Sequence, residues 1–285
     1  MAEFEGLTNP NPLAQYYRQP KIYIDLPSRG EFYPEGTLDL SQDGKYAVFA
    51  MTAKDELMFK TPDALLSGQS TVEVIKSCIP AIKDPWQMPS IDVDAALIAI
   101  RIATYGEDME VSSTCPSCEA DNEFAINLTN WLAETAQFQY QSVIQLDELT
   151  IHIKPYSYSE ITKTNLKTFE QQRIFSVIND DTISDEQKIE MFGESFVKLT
   201  AMTVDVIAGC IREIQTPQGS VSDPDMIQEF VNNADKEVFQ TISDHITNMK
   251  GNGGAKVIPV TCNSCEHNYD MPVTMDQTTF FAPGS

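Results

Sequence analysis

Two stretches, "STCPSCEAD" from Ser113 and "VTCNSCEHN" from Val260, repeat one shape in a chain of 285 residues that holds only six cysteines. Each carries two cysteines two residues apart, and 143 residues separate Cys118 from Cys262. A CxxC turn folds the chain back so that two sulfurs converge, and a tetrahedral zinc takes four such ligands at about 2.3 Å. On that geometry Cys115, Cys118, Cys262 and Cys265 make one structural Zn2+ site, with each pair at the tip of a strand–turn–strand hairpin. The result is a zinc ribbon whose halves are brought together after a long excursion of the chain. Such an excursion is inexpensive, because loop-closure entropy grows only logarithmically with length.

Two other readings of these cysteines stand beside the first. "CPSC" resembles a thioredoxin-like redox motif, but that chemistry needs the cysteine at a helix N-terminus, and the residues after Cys118 alternate like a strand in "FAINL". The thiols could also be free. One departure from the usual zinc knuckle is visible: glycine normally follows the second cysteine, and here Glu119 and Glu266 stand there. His267 is near enough to replace a ligand, although four cysteines make that unnecessary. Cys78 and Cys210 sit on apolar helical faces and read as buried, inert thiols.

Charge narrows the partners. Nineteen basic against 42 acidic residues give a net charge of −23. Affinity for phosphate backbones comes from Lys and Arg displacing counterions, so neither nucleic acid nor an anionic membrane surface is an expected partner. No stretch approaches the roughly 20 apolar residues of a membrane span. The opening "MAEFEGLTNPNPLAQ" lacks the basic and apolar regions of a secretory signal. Reduced cysteines are therefore expected, which favours metal or free thiols over disulfides.

Along the chain, residues 1–20 lack periodicity and read as an extended arm. A strand is expected at Ile22–Ile24 and another at Tyr46–Met51, with turns at Pro27, Gly30, Pro34 and Gly36 between them. A helix follows with Thr52 as N-cap and Asp55 and Glu56 in its first turn. "STVEVIKSCIP" gives a second helix stopped by Pro80, and "SIDVDAALIAIRIATYG" a third, ended by Gly106 and apolar on more than one side. "MEVSST" and "NEFAINL" flank the first CxxC as strands, and residues 149–156 form a further strand. From 157 to 250 the pattern is helical, with helices near 157–178, 184–213, 224–233 and 235–249. Between Asp180 and Lys250 stand 14 acidic and five basic residues, so this insert is acidic. Strand, turn and strand return around the second CxxC.

No catalytic arrangement emerges. The three histidines, His152, His245 and His267, lie in no Ser/His/Asp or HExxH setting. "GNGG" lacks the Lys-Ser/Thr of a phosphate loop. A zinc held by four cysteines has no open position and cannot activate water. The aromatic ends are more informative: Phe4, Tyr16 and Tyr17 at one end and Phe280 and Phe281 at the other read as docking arms or as local packing.

Three motifs in order then carry a family resemblance. "LPSRGEFYPEG" (Leu26–Gly36), "MTAKDE" (Met51–Glu56) and "DVDAALIAIRIATYG" (Asp92–Gly106), running into "CPSC", resemble the baseplate hub family of T-even-like contractile-tailed phages. The match covers about the first half of the chain and is supported by the second CxxC. The resemblance implies a virion tail protein, or a factor that assembles the baseplate hub, made in the host cytoplasm and without catalysis. It implies other tail and baseplate proteins as partners in a hetero-oligomeric assembly.

The expected fold is α+β. An arm (1–20) precedes an α+β domain with the first knuckle (21–156); a helical insert (157–250) follows, and residues 251–285 complete the first domain with the second knuckle. The expected function is a structural subunit of the baseplate. An assembly chaperone that leaves the finished particle is the alternative, with a zinc-ribbon nucleic-acid module less favoured.

Overall fold

A computed structural model describes residues 12–60, 68–137, 140–165, 184–249, 255–274 and 280–281. The architecture is α+β, organised around two buried apolar clusters.

The first cluster is built on one helix. Strands β1 (Pro20–Asp25) and β2 (Lys45–Phe49) pair antiparallel, with Ile24 opposite Tyr46, and are followed by α1 (Ala53–Phe59) and α2 (Gln69–Cys78). Helix α3 (Ser90–Tyr105) lies within this group, and every residue from Ala95 to Ala103 is at most 8% exposed. A helix that is apolar nearly all round must be covered on every side. Its end follows from Gly106, which takes φ +103°, a conformation that favours glycine.

Two buried carboxylates anchor the sequence motifs. Asp92, in the first turn of α3, accepts the Ser28 N–H at 2.8 Å, the Ser28 hydroxyl and the Tyr33 hydroxyl at 3.0 Å. The 26–36 loop is thereby folded over the helix start, through left-handed residues at Arg29, Gly30 and Phe32. Glycine suits position 30, where φ is +83° and a Cβ would approach the end of the Leu40 side chain to 2.9 Å. The second carboxylate is Asp55. Its Oδ2 accepts the Thr52 N–H and hydroxyl, each at 2.8 Å, the Ser77 hydroxyl at 3.1 Å and the Arg18 guanidinium at 3.4 Å. The capping box expected at Thr52 is formed, and it doubles as the anchor for the end of the N-terminal arm.

The remaining elements close the first cluster. Hairpin β3–β4 (Asp108–Thr114 and Asp121–Asn127) leads into helix α4 (Leu128–Ala136), which sequence periodicity does not reveal. Hairpin β9–β10 (Ala255–Thr261 and Asn268–Thr274) returns at the far end of the chain and contributes Met271 and Val273 to the same cluster.

For the C-terminal rings the structure selects local packing over a docking tail. Phe280 and Phe281 are 2% and 6% exposed. Phe281 stacks on Phe59 with centroids 4.7 Å apart, and Phe280 meets Trp131 edge-on. The buried Arg101 guanidinium donates to the Phe280 carbonyl and lies 5.3 Å from the centroid of the same residue's ring. A buried cation needs an acceptor and a polarisable surface, and Phe280 supplies both. Phe4 lies outside the described residues, whereas Tyr16 and Tyr17 are exposed.

The second cluster gathers β5 (Val143–Leu146), β6 (Leu149–Ile153), α5 (Asp185–Gly209), β7 (Ile211–Thr216), β8 (Gly219–Val221), α6 (Pro224–Asn233) and α7 (Lys236–Met249). Strands β5-β6-β7-β8 form one antiparallel sheet in that order. The helix expected over 184–213 therefore stops at Gly209, and the wholly helical pattern expected over 157–250 is interrupted by two strands. Ile211 and Ile214, three residues apart, match Ile153 and Ile151 across the sheet through a register shift after His152, and this pairing outweighs helix propagation. Residues 158–165 are helical, and the rest of the helix expected over 157–178 lies outside the described residues. The two clusters meet where Ser90 N–H donates to Tyr156 O at 2.8 Å, Tyr158 N–H to Met88 O at 2.9 Å, and Trp86 stacks on Tyr158.

Burial pushes the Asp92 carboxyl up to about 6, against the lowering effect of its Ser28 and Tyr33 hydrogen bonds. A carboxyl raised in the folded state holds its proton there after the unfolded chain has lost it. Its contribution to stability is full below about pH 4 and lost as pH rises to about 6. The difference in unfolding free energy, wild type minus Asp92→Asn, is expected to fall by about 2–3 kcal/mol between pH 4 and pH 7. Denaturant titrations at both pH values measure it, and a flat difference would remove Asp92 as a titrating hub.

Candidate metal centre

Hairpins β3–β4 and β9–β10 have the same construction. Each pairs seven residues with seven around a six-residue turn. In the first turn Cys115 N–H donates to Ala120 O at 2.9 Å and Glu119 N–H to Cys115 O at 3.0 Å. In the second, Cys262 N–H donates to His267 O and Glu266 N–H to Cys262 O at the same two distances. The likeness extends to side chains. Thr114 bonds Asp121 at 2.9 Å as Thr261 bonds Asn268 at 2.7 Å, and Ser117 and Ser264 N–H each reach the first sulfur of their turn at 3.4 Å.

The glutamates that replace the expected glycine take the conformation glycine would supply. Glu119 has φ +59° and Glu266 φ +57°. The left-handed turn is thus imposed by the geometry of the knuckle, at a cost of about 1 kcal/mol for each non-glycine residue.

The two tips face each other and bring all four predicted cysteines together. Their sulfurs lie within 4.8 Å of one another. Across the hairpins Cys115 Sγ is 3.8 Å from Cys265 Sγ, and Cys118 Sγ 3.7 Å from Cys262 Sγ. A tetrahedron with 2.3 Å metal–sulfur arms has edges of about 3.8 Å. A disulfide is about 2.05 Å long, so the sulfurs are spaced as ligands and not as bonded pairs. Cys115 and Cys262 are buried, whereas Cys118 and Cys265 face solvent. The donor set therefore fits a single soft metal ion on chemistry and on spacing.

Ionisation is uneven around the cluster. N–H groups of Cys265 and Ser264, with the Asn122 amide, draw the Cys262 thiol down to about 6. At Cys265 the His267 N–H lowers the thiol, but the neighbouring sulfurs of Cys118, Cys262 and Cys115 and partial desolvation together push it up to about 12. Four neighbouring sulfurs cannot all carry charge without a cation among them.

The other candidates lie elsewhere. His267 stacks on Tyr269 with centroids 6.4 Å apart and is outside the ligand cluster. His245 Nε2 pairs with Gln141 O at 2.8 Å, and His152 sits on β6 opposite Val143 and Glu213. Cys78 and Cys210 are fully buried, and burial followed by the charge of Asp55 pushes the Cys78 thiol up to about 12. Sequence reasoning missed Asn122, which reaches Cys262 Sγ at 3.5 Å from the opposite hairpin. Only the polar residue four places after Cys118, in an otherwise alternating strand, hinted at it.

The fold and the cysteine cluster give the family comparison a structural frame. A family model described as "T4 bacteriophage base plate protein" matches residues 34–282. The chain belongs to the T4 bacteriophage base plate protein family. The match runs through both clusters and both knuckles and contains the second and third motifs, with Pro34–Gly36 of the first. No curated protein and no solved structure matches this baseplate protein. Membership points to a structural role and to other phage tail proteins as partners, in the tail of the virion. Among the described residues no helix is long and apolar enough to cross a membrane.

Because the knuckle turn needs a left-handed residue, Glu119→Gly and Glu266→Gly should leave the melting temperature of the baseplate protein unchanged or raise it by up to about 3 °C. A β-branched valine at either position should lower it by several degrees. Calorimetry that ranked valine above glycine would show that the turn is not what selects these residues.

Proposed function

We propose that this baseplate protein is a structural subunit of the hub region of a contractile tail, assembled in the host cytoplasm. One structural Zn2+ on Cys115, Cys118, Cys262 and Cys265 staples its two ends together. The observation that carries the reading is the four-sulfur cradle in a chain whose family match spans both knuckles. Zinc fits an all-thiolate tetrahedron, and with four protein ligands it supplies fold stability, with no open position for a substrate. The negative charge of the chain and the acidic surroundings of the tips, Glu119, Asp121, Glu123, Glu266 and Asp270, weigh against a nucleic-acid role.

Contacts to neighbouring tail proteins are assigned to exposed aromatics near the N-terminal arm. Tyr16, Tyr17 and Tyr23 are 78%, 58% and 63% exposed. Tyr17 borders an apolar groove lined also by Phe49, Met51 and Pro80. Exposed tyrosines beside an apolar groove are the usual anchors of protein interfaces. Arg18 differs from its neighbours, since it is tied to Ala50 O, Ser77 and Asp55. Deleting the arm through residue 19 would therefore unseat the fold as well as the contact.

Quantitative mass spectrometry of purified phage particles tests the placement. The chain should be present at a fixed copy number relative to the other baseplate proteins, and a Tyr16→Ala/Tyr17→Ala variant should be depleted. Presence in infected cells and absence from particles would make the protein an assembly chaperone instead. For the metal, freshly purified protein should hold one zinc per chain and release it on acidification, because the ligand thiolates take up protons. Cys262→Ser should lose the zinc and about 3 kcal/mol of stability, seen as a fall of roughly 6–12 °C in melting temperature. A variant that melts like the wild type would contradict the stapling role.

A further inference from the structure

Asn122 stands outside the cysteine set yet touches both of its halves. It is the second residue of β4 in the first hairpin and is 3% exposed. Its Oδ1 accepts the Asn263 N–H of the second hairpin at 2.8 Å. Its Nδ2 donates to Ala120 O at 2.9 Å and to Cys262 Sγ at 3.5 Å. A backbone N–H can only donate and a carbonyl can only accept, so these partners fix which end of the amide is which.

The second hairpin has no equivalent residue. Four places after Cys265 stands Tyr269, which stacks on His267 and meets Phe124 edge-on. The near-symmetry of the two knuckles is therefore broken at one point, and that residue crosses the junction. No metal is needed for these hydrogen bonds. A buried amide with its partners satisfied favours one docking register over others.

We infer that Asn122 is the positioning residue of the centre. It docks the second knuckle on the first in the absence of metal and aims the Cys262 sulfur at the other three, so that the ion enters a preassembled cradle. The metal half of this inference rests on the zinc reading above; the docking half does not. A donor aimed at a ligand sulfur also reduces the electron density that sulfur offers the metal, which ties Asn122 to the electronic character of the site as well as to its shape.

The test uses the full chain as wild type, Asn122→Ala and Asn122→Asp, with far-UV circular dichroism to verify folding. Aspartate keeps the acceptor for Asn263 N–H and loses the donor to Cys262. It therefore separates docking from sulfur orientation and keeps the inference testable if the alanine variant fails to fold. Cobalt(II) is titrated against a competing chelator while the sulfur-to-cobalt absorption band is followed. Both variants should bind about 10–100-fold more weakly with a displaced band. Equal affinity and an unmoved band in all three proteins would overturn the positioning role.

Docking is read on metal-free protein oxidised with diamide, which takes two thiols to one disulfide and is itself reduced to the hydrazine. Peptide mapping should find the cross-hairpin bonds Cys118–Cys262 and Cys115–Cys265 in the wild type and in Asn122→Asp. Asn122→Ala should switch to Cys115–Cys118 and Cys262–Cys265. Wild type that takes up no cobalt would sink the zinc reading, and the inference would then be decided by the disulfides alone. A cross-hairpin pattern that survives in Asn122→Ala would overturn it.

Discussion

Four sulfurs from hairpins 143 residues apart in sequence meet within 4.8 Å, and the rest of the architecture is arranged around that meeting. Because the second hairpin packs Met271 and Val273 into the first cluster, the junction also closes the chain around everything between. The second cluster, with its own sheet and helices, is held between two points that must coincide. Four unpaired thiols at this spacing repel as they ionise, so an ion at their centre would change the meeting from a crowded contact into a staple. On the zinc reading, that is how a subunit carrying a net charge of −23 holds its two ends together in a crowded assembly.

The three motifs that resemble the baseplate hub family have a physical explanation of their own. Two of them, 26–36 and 92–106, are joined by one buried carboxylate, Asp92, through Ser28 and Tyr33. The third, 51–56, is a capping box whose Asp55 also receives Ser77 and Arg18. Met51 N–H reaches Thr104 Oγ1 at 3.0 Å and links the third motif back to the helix. Ser28, Asp55 and Asp92 in these stretches are thus inward-facing. They hold loops around an otherwise apolar helix.

Much of this was legible in the sequence where a local rule governs. The CxxC spacing, the Thr52 cap, the stop at Gly106 and the strands flanking each turn all depend on neighbours a few residues away. What escaped depends on distant partners. Ile211–Thr216 follows α5 after Gly209, but one glycine within an apolar run is a weak stop, and pairing with β6 makes the segment a strand. Helix α4 begins at Leu128, inside an alternating run, once the Asn127 side chain accepts the Asn130 N–H as its cap. Phe280 and Phe281 read equally as docking arm or local packing because nothing near them in sequence reveals the buried Arg101 that binds one of their carbonyls. Asn122 is the sharpest case: an ordinary strand residue by pattern, and the bridge between two hairpins in space.

The central claim is that a metal bound by four thiolates joins the two knuckles. X-ray absorption at the zinc edge of the purified protein measures that most directly. The account predicts four sulfur scatterers at about 2.3 Å and no nitrogen or oxygen in the inner sphere. A shell containing a histidine nitrogen or a water oxygen, or protein purified without zinc, would contradict it.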